Sequence, residues 1–155
     1  MNVDNASAAE HFIHGNALVL GETGLLILGP SGAGKSTLTL SLLARTAAHG
    51  DFARLVGDDR ISVAACNGRV IARPHPAIEG LIETRGLGIQ RCPFEPACIV
   101  TAVVEIVETA PARLPAPGEL LGQLANQKTP WLRILAGDPS AKTKIVQFIH
   151  KVKQN

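Results

Sequence analysis

The segment Gly29-Pro30-Ser31-Gly32-Ala33-Gly34-Lys35-Ser36 constrains this chain more than any other. It follows G-x-x-x-x-G-K-[ST], the Walker A pattern of a phosphate-binding loop. Gly29, Gly32 and Gly34 lack a Cβ, so the backbone can take positive φ and curl tightly. Curled in this way, successive N–H groups of the loop, Pro30 excepted, point inward and form a nest for phosphate oxygens. Lys35 brings a mobile point charge to the outer phosphates. Ser36 offers a hydroxyl to Mg²⁺, an ion that keeps most of its water and takes few protein ligands. The loop also needs a strand before it and a helix after it. Leu25 to Leu28 is a short apolar run of buried-strand type. Ser36 to Arg45 has no Gly or Pro, and leucines at 38, 42 and 43 give it one apolar helix face.

The flanking sequence adds an antiparallel partner. Phe12 to Leu20 reads as a strand interrupted at His14-Gly15, and Gly21 to Gly24 reads as a turn. Residues 17–20 and 25–28 therefore form a hairpin leading into the phosphate loop, which a simple βαβ nucleotide fold lacks. A polar connection over Ala47 to Phe52 leads to Leu55-Val-Gly-Asp58-Asp59, with adjacent carboxylates between apolar runs. Phosphoryl transfer needs an acid in this position, for metal or to take a proton. Neighbouring residues on a strand face opposite ways, so the two aspartates need not share a role.

Ile61 to Ala65 and Arg69 to Ala72, joined by Asn67-Gly68, predict a second hairpin with a type I′ turn. Glu83-Thr-Arg85-Gly-Leu-Gly-Ile89 reads as a shaped loop carrying an acid and a base. Cys98 to Val107 is a strong β run and predicts a central strand. Thr109 to Gly118 holds three prolines and Arg113 and reads as a loop. Glu119 to Lys128 has helical composition, Thr129 to Ile134 predicts a strand, and Ala141 to Lys153 predicts a helix with Ile145, Phe148, Ile149 and Val152 on one face. The expectation is one α/β domain over residues 1–155 with a mixed sheet, residues 1–10 being a loose lead-in.

Composition excludes several classes. Hydrophobic residues make up 46% and charged residues 18%, as a globular fold requires. A net charge of only +2 gives no electrostatic case for nucleic acid or an anionic membrane. The absence of Tyr and the single Trp remove the stacking platform of single-strand binders. Cys66, Cys92 and Cys98 show no C-x-x-C spacing and read as reduced thiols, which points away from zinc and toward the cytoplasm. No signal peptide and no apolar stretch of membrane-spanning length are visible.

Taken together, His14-Gly15, the loop Gly29 to Ser36, Leu55-Val-Gly-Asp-Asp59 and Ile82-Glu-Thr-Arg-Gly-Leu-Gly-Ile89 resemble the catalytic domain of bacterial HPr kinase/phosphorylase. The resemblance covers most of residues 12–113. It implies a P-loop domain resembling the nucleotide-binding core of phosphoenolpyruvate carboxykinase. It also implies an ATP- and Mg²⁺-dependent kinase acting on a serine of HPr, the phosphocarrier of a phosphotransferase system. Many such enzymes also run the reverse phosphorolysis, and they assemble as hexamers. By matching motif, Asp59 resembles the catalytic base, and His14 resembles the family histidine near the aspartates, beside Asp58. Lys35 would stabilise the transferred phosphoryl group, while Ser36 and Glu83 would hold Mg²⁺. Arg85 would order the signature. Arg113, in Ala112-Arg-Leu114, resembles the arginine of a loop that closes over the phosphates.

The chain departs from the family in three places. It begins almost at the histidine strand, where most members carry a further N-terminal domain. The connection from Thr46 to Phe52 is longer than the family's. A Pro-Val-(basic)-x-Gly-Arg motif tied to dephosphorylation is replaced by Pro130-Trp-Leu-Arg-Ile-Leu-Ala-Gly-Asp-Pro139. The kinase direction is thus better supported than the phosphorylase direction. Two other classes share the phosphate loop: a small-molecule kinase, whose Arg-rich lid is not evident here, and a regulatory module that senses ATP without chemistry.

Overall fold

The computed structural model describes residues 10–155. The lead-in expected over residues 1–10 lies, but for Glu10, outside the described residues. The first strand, β1 (His11–Leu20), and β2 (Thr23–Leu28) form the expected antiparallel hairpin, with Gly15 opposite Leu28 and Leu20 opposite Thr23. Helix α1 (Lys35–Ala48) follows the phosphate loop. It absorbs Ala47 and Ala48, so the connection to β3 (Ala53–Gly57) is shorter than the sequence suggests. Next come β4 (Arg60–Cys66) and β5 (Arg69–Pro74), whose Asn67-Gly68 turn has positive φ at both residues, as a type I′ turn demands.

The chain continues through β6 (Leu81–Thr84), β7 (Gly88–Arg91), β8 (Cys98–Val107), β9 (Leu121–Leu124), β10 (Gln127–Leu135) and α2 (Ala141–Lys153). Two expectations need correcting. Glu83 to Ile89 is not an irregular loop but the β6–β7 hairpin around Arg85-Gly86-Leu87. Glu119 to Lys128 is not helical: it holds β9 and the start of β10. Ala125 and Asn126 both take positive φ and turn the chain back on itself. Gly122 lies under the Trp131 ring, where a Cβ would come within 2.4 Å of a ring carbon. Cross-strand packing thus overrides local helix propensity.

The sheet is mixed. β2, β8 and β10 run parallel, and β1 pairs antiparallel with β2, β3 and β4 in turn. The interruption expected at His14-Gly15 is a change of partner within one continuous strand. His11 to His14 pair with β4, whereas Gly15 onward pairs with β2. β4 pairs with β5, and β5 reaches the start of β8, so β1, β2, β8, β5 and β4 close a ring.

Strand alternation feeds two cores. Leu25 and Ile27 of β2, with Ala102, Val104 and Ile106 of β8, face α1 and α2. Leu26, Val103 and Ala17 face the other way, toward Ile61, Val63, Val70 and Ala72 inside the ring. Burying each of these larger aliphatic side chains contributes roughly 1.5–3 kcal/mol. β1, β2 and β8 belong to both cores, and the phosphate loop leaves from the end of β2 where the two meet.

Candidate active site

The loop after β2 has the conformation its composition demands. Gly32 and Gly34 take φ of 79° and 94°. A Cβ on Gly29 would stand 3.0 Å from that of Ile106 on β8, so a glycine lets the loop lie against the strand. Gly34 caps α1 in the left-handed conformation, and Ala33 N–H donates to the Pro30 carbonyl at 3.1 Å. Lys35 is 7% exposed, and its Nζ donates to the carbonyls of Gly29 at 2.8 Å and Pro30 at 3.0 Å. A buried ammonium needs such partners. These two tie the lysine head to the loop it serves.

The aspartate pair divides, as strand geometry allows. Asp58, at the end of β3, is 5% exposed and points inward. Its Oδ1 accepts from Ser36 Oγ at 2.7 Å, and its Oδ2 accepts the backbone N–H of Glu83 at 2.9 Å. One carboxylate therefore joins the first turn of α1 to the β6–β7 hairpin. Asp59 takes φ of 65°, a conformation a non-glycine residue adopts only when its surroundings hold it there. That turn sends its side chain outward to solvent. His14 Nδ1 lies 3.9 Å from Asp59 Oδ1, so the histidine faces Asp59, not Asp58 as the resemblance implied.

A residue that sequence reasoning passed over holds this turn. Asn16 is completely buried. Its Oδ1 accepts the Asp59 backbone N–H at 3.0 Å, and its Nδ2 donates to Thr39 Oγ1 at 3.1 Å and toward Ser36 Oγ at 3.4 Å. Thr39, equally buried, donates to the Lys35 carbonyl at 2.8 Å. The Gly15 N–H donates to the Asp59 carbonyl at 3.0 Å. One amide thus ties the aspartate turn to the first two turns of α1. The signal was present: a lone amide side chain stands immediately before the apolar run from Ala17 to Leu20, two residues after His14.

Ser31, Gly32, Gly34, Lys35, Ser36, Thr37, Asp58, Asp59, Glu83 and Arg85 line one cleft of about 330 Å³. Glu83 is exposed on its wall, and Arg85 stands over the loop, its Nη2 3.9 Å from where a Gly32 Cβ would be. Arg113 is not among them. It lies on the loop after β8 and lines a separate groove with Arg133 and Lys144. Among the described residues no group of three His, Cys, Asp or Glu side chains forms a metal cage. The oxygens of Ser36, Asp58 and Glu83 instead fit an ion that takes few protein ligands and completes its shell with water and phosphate. Chemically, the cleft offers an anion nest, a buried cation, hard oxygen donors on one wall and a solvent-facing carboxylate.

Comparison with known proteins bears on the family and the fold. The family model described as HPr Serine kinase C-terminal domain matches residues 5–92, more than half of the chain. HPr kinase/phosphorylase of Mycoplasma mycoides subsp. mycoides is 45% identical over 67 residues, 43% of this chain and 20% of that protein. The Clostridium beijerinckii protein of the same name is 39% identical over 82 residues, 53% of this chain and 25% of its own length. That of Clostridium tetani is 37% identical over 87 residues, 56% of this chain and 27% of its own. The matched stretch thus spans about a quarter or less of these relatives. A solved structure, the Hpr(Ser) kinase/phosphatase from Coxiella burnetii, superposes with a TM-score of 0.73, covering 93% of this chain and 98% of that one. At 23% identity, that likeness establishes the fold.

Proposed function

The chain belongs to the family of the HPr Serine kinase C-terminal domain, and we propose that it is an ATP-dependent protein-serine kinase whose substrate is an HPr-type phosphocarrier of a phosphotransferase system. The observation that carries this reading is the placement of Asp59. It is a solvent-facing carboxylate held at a strained turn, beside a phosphate nest and across from His14. A carboxylate so placed is accessible to a protein hydroxyl, and its backbone does not have to reorganise to receive one.

In the forward reaction, the substrate serine oxygen attacks the γ-phosphorus of ATP while its proton passes to Asp59. The bond from the γ-phosphorus to the bridging oxygen breaks, and ADP leaves. Lys35 exchanges its loop carbonyls for phosphate oxygens and offsets their charge. Asp58 fixes the Ser36 hydroxyl, and Ser36 with Glu83 would hold Mg²⁺. When bound, that ion neutralises charge on the phosphates. His14, 3.9 Å from the Asp59 carboxylate, would help to orient it. Arg85 would order the signature from Ile82 to Ile89. Arg113 would join the site only if its loop moved toward the phosphates. The reverse phosphorolysis, a homohexameric assembly and a cytoplasmic location are proposed on the family resemblance; no helix among the described residues is long and apolar enough to cross a membrane.

The test is to incubate the protein with ATP, Mg²⁺ and HPr and to measure the HPr mass. The expected result is one acid-stable phosphate, absent from an HPr Ser→Ala variant. Asp59→Asn abolishes transfer while ATP binding persists. ATP binding without transfer to HPr would replace this reading by a small-molecule kinase or an ATP-sensing module.

A further inference from the structure

Strand alternation builds a second surface beside Asp59. Ile13 of β1 and Ile61 of β4 pair with each other and turn into the ring. Phe12 and His14 of β1, Arg60 of β4 and Arg73 of β5 therefore turn outward. Phe12, Ser62 and Arg73 form one row across the three strands, and His14 and Arg60 form the next. His75 extends the second row, its N–H donating to the Arg60 carbonyl at 3.3 Å.

Phe12 is 51% exposed, so folding leaves half of this aromatic side chain in water. Its ring centroid lies 5.8 Å from that of His75, and the Arg60 guanidinium carbon stands 5.9 Å from it. Two rings and a cation thus make one platform. Among the described residues neither Arg60 nor Arg73 forms an ion pair. Two neighbouring carboxylates are engaged elsewhere: Glu10 accepts from Ser62 Oγ, and Asp59 faces His14. None of Phe12, His14, Arg60, Arg73 and His75 lines the phosphate cleft. The surface is nevertheless continuous with the proposed base. His14 stands 3.9 Å from Asp59, and Phe12 follows it roughly 7 Å along the same face of β1.

We propose that this face docks the protein substrate, with an apolar side chain of that protein on the Phe12 platform and its carboxylates on Arg60 and Arg73. The inference rests on the kinase reading above and adds how the substrate is chosen. A protein that brings a hydroxyl to Asp59 covers about 800 Å² of this one, a disc roughly 16 Å in radius. Phe12 lies well inside that disc. Aromatic and arginine side chains near the centre of an interface carry most of its energy. The two unpaired guanidiniums call for acidic residues near the serine.

Steady-state transfer from ATP to HPr tests the face in Phe12→Ser and Arg73→Glu, both at exposed positions, with folding checked by thermal unfolding. Each should raise the KM for HPr about tenfold or more. The kcat at saturating HPr should stay within about twofold of wild type, and the KM for ATP should not change, because only ground-state binding is lost. Added salt should weaken HPr in the wild type and much less in Arg73→Glu. An unchanged KM for HPr in either variant overturns the docking face and leaves the kinase standing. Loss of self-association with that KM unchanged assigns the face to a second copy of this chain and overturns it equally. If the wild type binds ATP but transfers no phosphate to HPr, the kinase reading fails and the docking face with it.

Discussion

Asn16 Oδ1 accepts the backbone N–H of Asp59 at 3.0 Å, so a fully buried amide on β1 sets the conformation of the proposed catalytic base in the turn between β3 and β4. The same side chain reaches Thr39 on α1. It is the shared reference point for the phosphate loop and the carboxylate that must be aligned with it.

Asn16→Ala is therefore expected to act on rate more than on nucleotide affinity. It leaves the Asp59 N–H and the Thr39 hydroxyl without their partner, at a cost of about 1–3 kcal/mol in stability. With the Asp59 turn released, kcat should fall by roughly ten- to a hundredfold while the KM for ATP changes by much less. Steady-state kinetics and urea unfolding measure the two effects separately. A raised KM with unchanged kcat would mean that Asn16 serves the loop alone.

Two glycines give unequal losses from the same substitution. A Cβ on Gly24 would lie 1.9 Å from the Ile99 carbonyl oxygen, so Gly24→Ala cannot be accommodated without parting β2 from β8. It should cost about 3 kcal/mol or more. Gly68, with φ of 75°, has open space around it, and Gly68→Ala pays only for its backbone conformation, about 1 kcal/mol. Thermal unfolding of both variants distinguishes steric exclusion from backbone strain. Equal losses would contradict the close approach at Gly24.

Asp138 supplies the pH dependence. Hydrogen bonds from Lys144 and Ser140 lower its pKa from the ordinary 3.8 to about 2. The folded-state value is depressed, so the contribution is fully present above the unfolded-state pKa. It disappears as pH falls from about 4 through about 2. The difference in urea midpoint between wild type and Lys144→Met should be largest near pH 5 and shrink toward pH 2. A difference constant over that interval would show that Lys144 acts through packing alone.

Much of the fold was legible because strand, glycine loop and helix follow one another in sequence and each carries its own signal. The β1–β2 and β4–β5 hairpins were legible from Gly21 to Gly24 and Asn67-Gly68. The β9–β10 hairpin was not, because what selects strand over helix there is Trp131 packed on Gly122, a contact no local composition announces. The site was legible wherever a motif is contiguous, as at Lys35, Ser36, Asp58 and Asp59. Asn16 was not, since its role comes from pairing across strands. The facing partner of His14 was misassigned for a similar reason: the positive φ of Asp59 turns its side chain away from its neighbour's. Arg113 rested on a three-residue match in which Ala112 replaces the family's Asp, and the loop carrying it follows β8 into a different groove.

The ring of strands also governs the order in which the site comes into being. β2 is flanked by β1, its neighbour in sequence, and by β8, which places Leu28 opposite Glu105. Pairings of such long separation form late and slowly. During synthesis, a chain that has emerged only through α1 carries every residue of the phosphate-loop motif but lacks the strand against which Gly29 is packed. The loop therefore reaches its packed conformation only once β8 has joined β2, far along the chain from the motif itself.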